Sequence, residues 1–286
     1  MTSGIDLSHV DSTVRPQDDL FRHVNGRWLD EAQIPDDKAR FGEFIRLHEQ
    51  AEKHVHDIIE RLAQDAHEPG SDEQKIGDLF RSFMDAEQVE SLGAEPLGEL
   101  LALVDDVADT SSLLHAVGAL ERRGIGGLFG AFVSTDQGDS SRYVLYVNQG
   151  GLGLPDESYY SDERFAQVRT DYVEHIARML ELAGIGGADE AHRVMEVETR
   201  LASGHWNRVA TRDATATYNL LTGDELADLG PAIAWQQWLA GLEAPTSALD
   251  EVVARQPSFF TALAGELVDV PLDSWRLWLR WRIVHS

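Results

Sequence analysis

The chain has 286 residues, no Cys, and 24 Lys+Arg against 50 Asp+Glu, for a formal net charge of −26. The absence of Cys excludes disulfides, thiolate metal sites and Cys nucleophiles. The charge argues against nucleic-acid binding, which needs a basic face, and against anionic membrane surfaces, while serving solubility and attracting cationic peptides. The length allows one large domain or two smaller ones.

The opening stretch, Met1 to Asp6, is polar and has neither the basic start nor the apolar centre of a signal peptide. No apolar run approaches the ~20 residues of a spanning helix. The expectation is a soluble protein with no membrane span, cytoplasmic or exported by a non-standard route. Phe41, Phe44, Ile45, His48, Ala51, Val55, Ile58, Ile59 and Leu62 recur every three or four residues and predict a helix from about Phe41 to Gln64. Pro69-Gly70 breaks it, and Ser71-Asp72-Glu73-Gln74 starts another with the stripe Ile76, Leu79, Phe80, Phe83 and Met84. Two shorter helices are expected near Leu97 to Val107 and Ser111 to Arg123.

The period then changes. Leu128 to Thr135 and Tyr143 to Asn148 read as two strands joined by the polar turn Asp136 to Ser140, a hairpin at about 128–148. A lone hairpin is marginal in water, so it must lie on helices or join another strand. Helices return over Glu163 to Ala183, closed by Gly184-Ile185-Gly186-Gly187, and over Ala188 to Gly204. Thr222-Gly223-Asp224-Glu225 has the spacing of a capping box, and Pro257 and Pro271 stand where a first helical turn tolerates Pro. The fold class is mainly α: a multi-helix, cap-type domain with a small antiparallel hairpin.

Chemistry-bearing patterns are sparse. No H-E-x-x-H occurs; the nearest match, His48-Glu49-Gln50-Ala51-Glu52, puts Glu52 where the second His should stand. His54 and His56 point about 200° apart on a helix. His192 and Glu196 lie one turn apart, a half site at most and more simply a solvated face. Gly124-Ile125-Gly126-Gly127-Leu128-Phe129-Gly130 has Phe129 in place of the third Gly of a dinucleotide loop and runs from helix to strand, so it reads as a packing turn. No G-x-S-x-G elbow is present. Trp275, Trp278 and Trp281 drift around one helix, which leaves room for one to face outward or meet a partner; core packing plus a missing neighbour is the preferred reading. Arg40 precedes the first long helix; read alone, it is a surface Arg beside Asp36 and Asp37.

The ordered set of short motifs is more specific. Arg15-Pro16-Gln17-Asp18-Asp19-Leu20-Phe21 through Gly26-Arg27-Trp28-Leu29, Ile34-Pro35, and Arg40-Phe41-Gly42-Glu43-Phe44 resemble the opening of neprilysin-type zinc metallopeptidases. So do Gln149-Gly150-Gly151-Leu152-Gly153-Leu154-Pro155-Asp156 through Tyr160, Arg212-Asp213 through Tyr218-Asn219, and Trp275 to His285. The likeness spans nearly the whole chain in order. It is nearest the soluble, Cys-free bacterial branch of that neprilysin/endothelin-converting-enzyme family, in its N-terminal portion.

The resemblance implies a zinc endopeptidase that cuts short peptides on the amino side of large apolar residues. It implies that Zn2+ and every catalytic residue sit in a C-terminal half, so no catalytic or metal residue is assigned here. One substrate contact carries over: Arg40 occupies the position of the family Arg that holds the C-terminal side of the substrate. A second family Arg falls at His48. Residues 1–50 are expected to pack with a thermolysin-like catalytic domain, and 51–286 to form an incomplete helical cap. The implied partners are peptide substrates and that C-terminal half, without which this chain is expected to be inactive. The alternative is a non-catalytic helical binding or scaffold protein derived from the cap.

Overall fold

The computed structural model describes residues 6–286. The polar opening stretch, residues 1–5, lies outside the described residues. Two compact units divide the chain, Met1–Val89 and Glu90–Ser286.

In the first unit, α1 (Leu20–Glu31) starts at Asp19, whose carboxylate accepts the Arg22 N–H at 2.8 Å. This cap supplies one of the orphan amides of a helix start. α2 (Glu43–Gln64) follows the predicted periodicity; Arg40 and Phe41 stay non-helical and Gly42 caps it in extended conformation. The Ser71 hydroxyl accepts the Gln74 N–H at 3.2 Å, as the start signal implied, and α3 (Asp72–Met84) runs from there. α2 and α3 form a helical hairpin, with His56 set edge-on to Phe80. α4 (Ala86–Leu92) crosses the unit boundary. Among the described residues of this unit no apolar side chain is buried.

The second unit has a closed core. α5 (Gly98–Asp105) and α6 (Thr110–Glu121) match the two short expected helices, and Asp109 with Ser112 closes a capping box at the start of α6. β1 (Phe129–Thr135) and β2 (Tyr143–Gln149) pair antiparallel, Phe129 opposite Gln149 and Thr135 opposite Tyr143. The hairpin therefore forms at the predicted position. It joins a four-stranded mixed sheet of order β1-β2-β4-β3, with β3 at Leu220–Thr222 and β4 at Glu251–Ala254. β4 runs parallel to β2 and antiparallel to β3. This answers the need of an isolated hairpin for further strands.

The remaining helices are α7 (Ser158–Ser161), α8 (Ala166–Leu182), α9 (Ala188–Ser203), α10 (Gly223–Leu229), α11 (Trp235–Leu242), α12 (Pro257–Asp269) and α13 (Leu272–His285). Thr222 and Glu225 form the expected capping box on α10, and Gly184 closes α8 at a φ of 69°. Pro257 opens α12, while Pro271 stands one residue before α13, as its cap. α6 and α11 cross on two glycines: a Cβ on Gly118 would lie 2.1 Å from the Trp238 carbonyl oxygen, and one on Gly241 2.1 Å from that of His115. Only the bare backbone allows this approach.

The core packing expected of the three Trp residues is found, with the neighbours supplied by this unit itself. Trp275, Trp278 and Trp281 are 1%, 0% and 0% exposed. α13 packs against α5, α6, α8 and α9, so its Trp positions all meet protein, while Asp273 and His285 stay exposed. The drift of the three rings spreads them over several neighbours, and none faces outward.

Candidate functional site

Arg40 is exposed in the non-helical segment before α2. Its acidic neighbour Asp37 pairs with Lys38 at 3.2 Å, and Lys38 also reaches Glu49 at 3.2 Å. Glu43, in the first turn of α2, is occupied by Arg46 at 2.7 Å. The Arg40 guanidinium makes no ion pair or hydrogen bond among the described residues. Its planar fork is therefore free to meet a carboxylate, the group whose geometry it matches best. Around it the first turn of α2 shows an apolar surface that includes Phe44, 91% exposed.

His48 lies one turn further along α2 and meets only Glu52, at 3.3 Å, on an exposed face. Catalytic zinc takes three protein ligands converging on an open position. Among the described residues one trio, His56, Asp57 and Glu60, brings ligand atoms close enough to share an ion. All three are exposed on one helix, with no buried partner to orient the imidazole, so the residues present do not fit the family's zinc centre. His192 and Glu196 are both exposed and make no ion pair with each other, the solvated face expected.

The segment that follows β2 joins a buried polar node through Gly153, Leu154 and Tyr160. Glu198 on α9 is fully buried. It accepts from Tyr160 Oη at 2.7 Å, Tyr172 Oη at 3.1 Å and the Gly153 N–H at 3.3 Å. Tyr160 Oη accepts the Gly153 and Leu154 amides at 3.1 and 3.0 Å, and Tyr172 Oη accepts Trp281 Nε1 at 3.2 Å. A Cβ on Gly153 would sit 1.9 Å from Tyr172 Oη. Burial pushes the Glu198 carboxyl above its ordinary range against the opposing hydrogen bonds, and pushes both phenols up as well. This node ties one loop to four helices around a carboxylate closed off from solvent. Sequence reasoning missed Glu198. The available signal was an acid at a core position of the stripe Ala191, Val194, Leu201.

The Gly124 to Gly130 stretch is a packing turn, with Gly124 at a φ of 86° after α6. Beside it, Glu121 on α6 accepts Trp238 Nε1 through Oε2 at 2.6 Å. Its buried Oε1 has the Gly127 amide alongside and no hydrogen-bond partner. Burial raises this carboxyl to about 7, opposed by the Trp238 and Gly127 N–H groups.

Residues 16–286 match the N-terminal domain of peptidase family M13. The chain belongs to that family. Endothelin-converting enzyme 1 of Homo sapiens is 32% identical over 256 residues, covering 84% of this chain and 32% of its own. Endothelin-converting enzyme-like 1 of Rattus norvegicus is 27% identical over 298 residues, 97% of this chain and 38% of its own. Among solved structures, the zinc metalloprotease Zmp1 of Mycobacterium tuberculosis, in complex with an inhibitor, gives a TM-score of 0.85 at 46% identity. That match covers 98% of this chain and 43% of that one. PepO of Lactobacillus rhamnosis HN001, at 21% identity and a TM-score of 0.70, shares the fold. The M13 chain described here thus spans about a third of the length of the curated relatives it matches. None of its described helices is long and apolar enough to cross a membrane.

Proposed function

We propose that this chain is the non-catalytic N-terminal half of an M13 zinc endopeptidase, with the zinc centre on a C-terminal half that docks on the first unit. The observation that carries this is the apolar face of α2 and α3. Leu79 and Phe83 are 72% and 80% exposed, with Leu47, Val55, Ile58 and Met84 also on the surface. A face of this extent marks a protein–protein contact. In this reading 1–50 packs with the thermolysin-like half, and 51–286, its exposed α2–α3 face covered by further segments of the C-terminal half, supplies a cap that limits access to short peptides.

Arg40 then binds the free carboxylate of the substrate through a charge-assisted pair. Cleavage on the amino side of large apolar residues belongs to the C-terminal half, as does the Zn2+ ion. The test is reassembly. The chain alone should hold sub-stoichiometric zinc and cleave no fluorogenic peptide; mixed or co-expressed with an M13 C-terminal half bearing H-E-x-x-H, it should do both. Arg40→Ala in the reassembled enzyme should raise KM for peptides with a free C-terminus and leave C-terminally amidated ones unchanged. An equal effect on both classes removes the carboxylate role.

A further inference from the structure

The second unit carries a groove that none of these roles uses. β1 ends the sheet, paired on one side only. The Asp136 N–H donates to the Arg142 carbonyl at 3.0 Å just past the β1–β2 ladder. Alternation along an antiparallel pair then turns the backbone groups of Ser134, Phe132 and Gly130 toward β2 and those of Val133 and Ala131 outward. These outward groups form an open template for another strand. Ala131 and Val133 are both exposed.

A cavity of about 550 Å³ lies along the same edge, between β1 and α11, within the size range of ligand sites. Its wall is mostly apolar, with Leu242 and Pro245 opposite the strand, and Trp238 and Glu121 line it too. Glu121 Oε1 is buried with the Gly127 N–H alongside but outside hydrogen-bond geometry, so a cationic donor arriving from the groove would complete it. Neighbouring cations do not satisfy it: Arg122 pairs with Glu243 at 2.6 Å, and Arg123 Nη1 donates to the Ala119 carbonyl at 2.7 Å. The net charge of −26 adds a general attraction for a cation.

We propose that this groove docks an extended peptide bearing a basic side chain. The peptide backbone pairs with Ala131 and Val133 as an added strand, the aliphatic stem of Lys or Arg lies along Leu242 and Pro245, and its cationic head meets Glu121. Strand addition supplies affinity through backbone hydrogen bonds, and the pocket selects the side chain. The site is independent of the zinc reading: it lies in the second unit, and its test is binding to this chain with no metal and no cleavage.

The probe is a fluorescein-labelled octapeptide alternating Val and Thr around one Lys, with acetylated and amidated ends, titrated with the 286-residue chain and followed by anisotropy. Saturable binding is expected at about pH 8. Weaker binding is expected at about pH 6, where Glu121 is protonated; among the described residues no charged group contributes to the shift of that carboxyl. Replacing Lys by norleucine should weaken binding about tenfold, as should N-methylating one alternate set of amides, while the other set is tolerated. Glu121→Gln should erase the Lys preference and keep the N-methyl effect; Val133→Pro should abolish binding, with circular dichroism confirming that each variant folds. Absence of saturation to about 1 mM overturns the proposal, as does equal affinity for both N-methylated peptides. A wild-type dimer that Val133→Pro dissolves also overturns it, assigning the edge to a second copy.

Discussion

The two units bury their apolar residues very differently, although both have amphipathic helices. In Glu90–Ser286 the stripes of α6, α8, α9, α12 and α13 close on one another and on the sheet around Phe129, Trp238 and Phe260. In Met1–Val89 the stripes of α2 and α3 are equally regular, yet Gly26 and Gly77 are the only described residues classed as buried. Periodicity reports that a face will be covered; it does not report by what. The second unit covers its own, and the first leaves its apolar face exposed.

The largest expected effects break or confirm that contrast. Trp278→Ala should cost about 3–5 kcal/mol in urea unfolding, because it opens a cavity in a closed core. Phe83→Ala, the same kind of truncation in the first unit, should cost less than about 0.5 kcal/mol in the isolated chain. If the two losses are alike, the first unit has a core of its own and the contrast fails.

A pH titration sharpens the account of the second unit. The Glu121 carboxyl, ordinarily near 4.5, is raised to about 7 in the fold. Between those values the folded chain holds a proton that the unfolded chain has released, so stability is full below about 4.5 and falls as pH rises through about 7. Glu121→Gln should flatten that fall, which is worth on the order of 3 kcal/mol. Glu198 shifts the same way, and Glu198→Gln should likewise stabilise the chain at alkaline more than at acid pH. The reverse slope in either variant refutes the burial argument. The smallest effect belongs to His48→Ala: an exposed pair with Glu52 should leave stability and zinc content unchanged.

Local signals carried much of this fold. The α2 stripe, the Ser71 and Thr222 caps, the Gly184 stop and the β1–β2 hairpin all rest on neighbours within a few residues, and each forms where expected. β3 and β4 are three and four residues long and pair across the chain, too short for alternation to show. α1 and α11 were also not anticipated; Gly26 and Gly241 interrupt them for close packing that only the fold reveals. For the site, Arg40 came from a motif, since nothing in its spacing sets it apart from other surface Arg residues. Glu198 and Glu121 act through burial, which depends on distant segments meeting.

The most direct measurement is association of this chain with an M13 C-terminal half bearing H-E-x-x-H, by sedimentation and peptide cleavage, for wild type and for Phe44→Asp with Phe83→Asp. The account predicts a one-to-one complex with zinc-dependent activity for wild type, and loss of both when the α2–α3 face is charged. Equal complex formation by the charged variant, or cleavage by the isolated chain, would contradict it.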